Sequence, residues 1–496
     1  MKNYFNRNGS LFIGINWSKI VLYIVVGCFV LLLTILSQEL AIIFGLFIGF
    51  SPLYFKKIFN IDFLLFSFVL SLILEKYSYY VGFSIRLPML FIVGIAIWVT
   101  LQKLMKGQVK IDHKQFVVLF GFMLFVFVLG GLGAENRIDV VRVCVVYLFL
   151  FSIFFITIYL INDEKRIRKA TNCIILTAIL GSLYGFYQIV AVVFNLSSEL
   201  PFTEYLRYQK YYTTGLTAFT IGNTWVARIN STFNDPVLIG VFAGMALMLL
   251  CSTFCFRLLE KNIKGSSLIY YISGILILFF CVIFTFSRSS WLGLLMGFLC
   301  LSYYLAKRIQ TRIIFTKALF SLFFVLIVLV TVYPEAQRFV TARINQSFDF
   351  SHVSTSGHAK WFEIGSYAWS ENPLLGVGLN NFGEFNAKYF QGRSHAMTHS
   401  AFLSFLAETG LIGFILELSL IFLVFRYILT ALNRAKTKGD DYFYYLLIGV
   451  LSGYTVILAA NITYHFYTQF YVWFYMGFAV ATSSYVLKKY PEMGSN

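Results

Sequence analysis

The sequence predicts an all-α polytopic membrane protein of about 12–14 transmembrane helices, and three observations carry that class. Of 496 residues, 59% are hydrophobic and 12% charged, against about 25% charged in a soluble domain. The apolar residues fall into runs long enough to cross about 30 Å of hydrocarbon. Lys and Arg cluster between alternate runs, the pattern left by short cytoplasmic loops that retain positive charge.

In chain order, the predicted spans lie near 19–36, 39–55, 61–75, 81–101, 115–133, 140–161, 171–194, 236–256, 267–286, 290–306, 314–333, 400–425, 442–461 and 463–487. With the N-terminus inside, the cytoplasmic segments hold two thirds of the 39 Lys and Arg. Both termini are therefore expected in the cytoplasm. The net charge of +17 then reads as a topology signal with added attraction to anionic membrane lipids, and a nucleic-acid partner is not expected. The first apolar run starts late and lacks a small-residue cleavage site, so it is expected to stay attached. All seven cysteines lie in or beside predicted spans, which argues against a disulfide framework or a zinc site.

Taken as one transmembrane domain over residues 1–496, the chain has two outer segments too long to be plain connectors, 195–235 and 334–398. The first holds Tyr205, Tyr208, Tyr211, Tyr212 and Trp225, either an interfacial aromatic belt or flat faces for sugar rings. The second carries five basic and five acidic residues. Its helical apolar spacing stops at Asn372-Pro373, before a glycine-rich turn. One or two amphipathic helices on the outer membrane rim are expected there.

Candidate chemistry concentrates in RSHAMTHSAFLSFLAETGLIG, residues 393–413, which sets histidines at the head of an apolar helix. At about 1.5 Å per residue, His399 would stand roughly 16 Å above Gly410, at one rim of the bilayer. Glu408 either orients His399 or packs the helix end, and Glu417 lies deeper, where a carboxyl is costly. A second constellation, FTFSRSSWLG from Phe284, places Arg288 in a tight turn between spans. Snorkelling to lipid head groups is the common explanation for such a residue. Here the positive-inside rule disfavours arginine, and a guanidinium fork matches phosphate oxygens. Arg228, in RINSTFNDP just before another span, has a similar position. His395, His352, His465 and Tyr464 also fall on this outer face.

Four blocks, RINSTFNDP, FSRSSWLG, NPLLGVGLNNF and HSAFLSFLAETGLIG, resemble in order and placement the O-antigen ligase and polysaccharide polymerase superfamily of bacterial membrane glycosyltransferases. That resemblance covers roughly the C-terminal half. It implies a C-type glycosyltransferase-like fold in the bacterial inner membrane and an active site on the extracytoplasmic face. It also implies transfer of a glycan from undecaprenyl pyrophosphate to an acceptor hydroxyl on a glycan or glycolipid. Carried over by position, His399 is the catalytic base and Arg288 and Arg228 bind pyrophosphate; His358 and Lys360, and, from their place in the sequence alone, His395 and Glu408, are candidate supporting residues. Ser400 departs from the Asn common after that histidine, and His358 stands where many members have Arg, with Lys360 as its stand-in. No cofactor and no metal are implied. Flippase and chain-length regulator proteins are the implied protein partners.

The chemistry agrees with that reading. A sugar hydroxyl is a poor nucleophile, so a neutral histidine that takes its proton helps, and two arginines hold the charge developing on a pyrophosphate leaving group. In-line displacement at the anomeric carbon predicts inversion. Polymerisation of lipid-linked repeats of a surface polysaccharide (O-antigen, capsule or exopolysaccharide) is preferred, because several outer cations, Arg207, Lys210, Arg228, Arg288, Arg338 and Arg343, suffice for two anionic lipid heads. The first alternative is a ligase that joins the glycan to lipid A-core or another acceptor. A lipid-linked oligosaccharide flippase is the second; it needs charges in a central cavity, and Asp62, Glu75, Arg86 and Arg142 all sit near span ends. A scaffold of the cell envelope ranks third.

Overall fold

A computed structural model of the chain describes residues 61–74, 78–80, 84–86, 113–194, 218–221, 224–260, 265–306, 353–390 and 397–491, with single positions between them. The chain divides into two compact units, Met1–Leu64 and Leu65–Asn496. Only residues 61–64 of the first unit are described, and the helical bundle belongs to the second. The predicted spans near 19–36 and 39–55 and nearly all of 314–333 lie outside the described residues.

The architecture is helical: α1 Ile61–Ser71, α2 Lys114–Leu132, α3 Arg137–Leu160, α4 Glu164–Val193, α5 Pro236–Leu259, α6 Gly265–Phe284, α7 Arg288–Leu305, α8 Val353–Glu371, α9 Phe382–Phe390, α10 Ala401–Thr437, α11 Asp441–Asn461 and α12 Phe470–Lys489. Among the described residues, eight of these helices (α2 to α6 and α10 to α12) are long and apolar enough to cross a membrane. The chain is thus an all-α polytopic membrane protein. Side-chain caps start many of the helices: Asn136, Asp163, Asp235, Ser287, Ser400 and Asp440 each accept a backbone N–H from the first turn, satisfying donors that have no partner inside the helix.

Burial separates centre from rim. Helices α5, α11 and α12 are predominantly apolar and buried along most of their length, as a helix enclosed by others must be. Outward-facing Val118, Phe122 and Phe125 of α2 and Leu295 and Leu299 of α7 remain exposed, the surface a hydrocarbon solvent would cover. Small residues let the central backbones meet. Gly293 and Gly297, one turn apart on α7, lie against Val456 of α11, and a Cβ at Gly293 would come 2.7 Å from the Val456 carbonyl oxygen. Close approach of this kind is the usual basis of helix association in lipid.

At one end of the bundle, Lys489 bridges Asp440 at 2.9 Å and Glu164 at 3.6 Å, and Arg168 lies over the Tyr442 ring at 3.4 Å. The basic clusters at 165–169 and 434–438 therefore gather at a single end. Because Asp440 follows the last turn of α10 and His399 precedes its first, the histidine belongs to the opposite end.

Two expectations are corrected. The span expected from 81 is preceded by an antiparallel hairpin, β1 Ser78–Tyr80 with β2 Ser84–Arg86, since Tyr and Ile favour extended backbone; helical residues resume only at Pro88. A second hairpin pairs β3 Ala218–Ile221 with β4 Thr224–Ala227. The last span begins at Phe470 instead of 463, because Asn461 Oδ1 accepts the Phe466 N–H at 3.0 Å and Trp473 Nε1 donates to the Tyr467 carbonyl at 2.6 Å. Those side-chain bonds compete with helix formation and hold 462–469 as a loop. His399 stands just before α10, at the head of the span expected from 400: Ser400 is the cap, and His399 adopts φ 55°.

Candidate functional site

The geometry starts at Arg228. Its Nε donates to the Thr285 carbonyl at 2.8 Å, and the next residue, Ile229, donates its N–H to Phe284 at 3.1 Å. The RINSTFNDP segment is therefore laid on the turn that precedes Arg288. Ser287 caps α7 by accepting the Ser290 N–H at 3.3 Å, and Ser290 Oγ donates to the Val237 carbonyl at 3.2 Å. Gly240 accommodates that contact: a Cβ there would meet Ser290 Oγ at 2.3 Å. Two segments far apart in sequence thus hold their arginines on one scaffold. Arg288 is half-buried, as the first residue of α7.

The loop between α11 and α12 connects this scaffold to His399. Thr463 Oγ1 donates to Ser289 Oγ at 2.8 Å, and the Tyr464 carbonyl accepts the Ala401 N–H at 3.2 Å. One residue thus touches the neighbour of Arg288, and the next touches the first residue of the His399 helix. The Tyr464 ring lies 6.5 Å from the imidazole, centroid to centroid, and the Trp361 ring of α8 lies 6.4 Å from it. Ser231, Phe286, Asn380 and His399 all have φ between 49° and 61°. Left-handed backbone at non-glycine residues is uncommon, and here it falls once in each of the four sequence blocks.

NPLLGVGLNNF is a splint for the α10 break. Gly410 has φ 63° and ψ −168°, a region open essentially to glycine alone, so the helical hydrogen-bond ladder stops there. The segment supplies replacements on both sides. Val377 and Gly378 donate N–H groups to the Ala407 and Glu408 carbonyls at 2.9 and 3.0 Å, while Leu411 and Ile412 donate to Pro373 and Leu374 at 2.8 and 3.3 Å. A Cβ on Gly410 would meet the Leu374 carbonyl at 2.3 Å. Asn381 then ties the splint to the α2–α3 turn, accepting the Asn136 N–H at 2.7 Å and donating to its carbonyl at 3.2 Å. Glu408 accepts the Asn380 N–H at 2.9 Å, which places its carboxylate at the start of α9, two turns of helix away from His399.

Of the remaining sequence candidates, Lys360 is exposed on α8, and His358 belongs to the same helix, without a described side chain. His395 and His352 lie outside the described residues, as do Tyr205, Tyr208, Tyr211, Tyr212, Arg207, Lys210, Arg338 and Arg343. Sequence reasoning missed Asp235. This residue caps α5, accepting the Val237 N–H at 2.8 Å, and stands near enough for its charge to act on both Arg228 and His399. The Asn-Asp-Pro run marks a helix start, but nothing in it points across to residue 399.

Burial lowers the His399 pKa below the usual histidine value, with Asp235 pulling in the opposite direction. The imidazole is therefore neutral at pH 7, with an unprotonated nitrogen to accept a proton. Burial also lowers the Arg228 pKa, against the pull of Asp235 and Tyr464, yet arginine starts so high that it stays a cation. A neutral base linked through the Thr463–Tyr464 loop to a scaffold that holds two cations suits proton abstraction from a hydroxyl coupled to departure of an anion.

No curated protein matches the chain. Residues 273–418 do match a family model, that of O-antigen ligase; the stretch takes in the Arg288 turn, the splint and His399 and leaves out Arg228. That family indicates glycosyltransferase activity of the ligase or polymerase type. The chain carries this O-antigen ligase domain at residues 273–418, which supports its place in the superfamily of O-antigen ligases and polysaccharide polymerases.

Proposed function

We propose that the protein is an extracytoplasmic-face glycosyltransferase of the bacterial inner membrane, with both termini cytoplasmic, that moves a glycan from undecaprenyl pyrophosphate to an acceptor sugar hydroxyl. The observation that carries this reading is the bridge from Arg228 through Thr285 and from Ser289 through Thr463 and Tyr464 to the His399 helix. That bridge supports joint action of two cations and one neutral imidazole. His399 takes the proton of the acceptor hydroxyl; the oxygen attacks the anomeric carbon; the bond to the pyrophosphate oxygen breaks on the opposite face, with inversion. Arg228 and Arg288 hold the departing undecaprenyl pyrophosphate, so the step needs no metal.

Within this class we favour a polymerase, whose acceptor is a second lipid-linked repeat. The test supplies purified protein with undecaprenyl-pyrophosphate-linked repeats from the source strain and no other acceptor. A ladder of lengthened lipid-linked glycans is expected, unchanged by a metal chelator and inverted at the new linkage by NMR. Product only after addition of lipid A-core or another acceptor would make the protein a ligase. Movement of repeats across a vesicle membrane without any product would make it a flippase.

A further inference from the structure

Two half-buried aromatic side chains flank the imidazole, and they come from different parts of the fold. Trp361 belongs to α8, its ring 6.2 Å from that of buried Phe382 and 6.4 Å from that of His399. Tyr464 belongs to the α11–α12 loop, its ring 5.0 Å from that of buried Phe466 and 6.5 Å from that of His399. Each ring thus has a phenylalanine against it and the base nearby, and neither is sealed in the core.

The arginines break the symmetry of this pair. Thr463, next to Tyr464, bonds Ser289, next to Arg288, so Tyr464 is tied to the cation scaffold. Trp361 has a different attachment, packed against the cluster of Ile364, Ala368, Val377, Phe382, Phe385 and Ala407, which joins α8 to the splint. A pyranose presents a face of C–H bonds that lies well on an aromatic ring, and its hydroxyls stay at the edge for polar partners.

We propose that Trp361 and Tyr464 are two separate sugar platforms: Tyr464 carries the donor sugar attached to the pyrophosphate, and Trp361 carries the acceptor sugar whose hydroxyl meets His399. This rests on the glycosyltransferase reading, and it adds an assignment of each substrate to a side of the base. Because the anomeric carbon is two bonds from a phosphorus of the pyrophosphate, the donor ring must lie next to the group that the arginines hold, which is the part of the site to which Tyr464 is tied. The acceptor hydroxyl then comes to His399 from the α8 side.

The experiment measures binding and transfer separately, in detergent, with two probes: the lipid-linked pyrophosphate repeat, and the same repeat released from its lipid as a free oligosaccharide. Trp361→Ala is expected to weaken the free oligosaccharide about tenfold, as expected for loss of one aromatic contact, and to leave near normal the affinity for the lipid-linked repeat at concentrations that fill only the donor site. Tyr464→Ala should weaken the lipid-linked repeat by a similar factor, with the free oligosaccharide unaffected. Trp361→Phe and Tyr464→Phe should each recover most of the loss, which a merely structural role for the hydroxyl or indole would not allow. Equal effects of both alanine variants on both probes, no effect on either, or wild-type protein that binds neither probe would overturn the assignment. Binding that splits as described in a wild-type protein that transfers nothing would instead sink the glycosyltransferase reading and leave two sugar sites. Thermal unfolding of each variant separates loss of a platform from loss of the fold.

Discussion

His399 works as a base only while neutral, so its surroundings set the acid limit of activity. Burial lowers its pKa and the Asp235 charge raises it. The acid limb of kcat/KM against pH should therefore fall below the usual histidine value of about 6.5. Asp235→Asn removes the negative charge and keeps a side chain able to cap α5; the limb should move to lower pH, because a cationic imidazole loses its stabilising neighbour. A limb that stays in place or moves up would show that Asp235 does not act on the base. Arg288 makes a separate prediction. Arg288→Ala should raise donor KM about 10- to 100-fold, the range of a lost charged hydrogen bond, and Arg288→Lys should recover part of it, since lysine is a point charge and lacks the fork. The histidine and arginines were legible as candidates in the sequence because titratable groups beside apolar spans stand out. Asp235 and Trp361 were not, since their importance comes from neighbours more than a hundred and more than thirty residues away.

At the scale of elements, the break in α10 decides where His399 stands relative to the bundle. The helix can stop and restart at Gly410 only because NPLLGVG donates to the carbonyls before the gap and accepts the N–H groups after it. Gly410→Ala places a methyl against the Leu374 carbonyl and forces a conformation essentially closed to alanine. A loss on the order of 2–4 kcal/mol is expected, read as a lower midpoint of thermal unfolding in detergent. An unchanged midpoint would mean the splint is dispensable. The apolar periodicity located this helix and the turn at Asn372-Pro373, but the insertion of one into the other is a backbone exchange that no side-chain pattern announces. The same holds for the 462–469 loop: hydropathy read it as the start of a span, whereas the bonds from Asn461 and Trp473 release it to reach Ser289 and Ala401.

For the whole molecule, the separation between the basic clusters at one end of the bundle and the His399 site at the other is the feature that gives the protein a direction in the membrane. Single cysteines at Lys436 and Lys360, in a background without the native cysteines, should be labelled from opposite sides by a membrane-impermeant thiol reagent: Lys360→Cys in intact spheroplasts, Lys436→Cys only after lysis. The swapped pattern would reverse the topology, and labelling of both from one side would contradict the separation of the two ends. The fold class was plain from composition, because a bilayer demands long apolar runs and satisfied backbones. The hairpin at 78–86 escaped it, being too short to alter a hydropathy profile.

Transfer from a pyrophosphate-linked donor, in this mechanism, depends on His399. The decisive experiment follows release of undecaprenyl pyrophosphate from the lipid-linked repeat by wild-type protein and by His399→Ala, with donor affinity determined for both. Release by the wild type is expected, with a loss of about a hundredfold or more in the variant, as befits a missing general base, and nearly equal donor affinity. Release at wild-type rate by His399→Ala would remove the histidine from the chemistry and the mechanism with it.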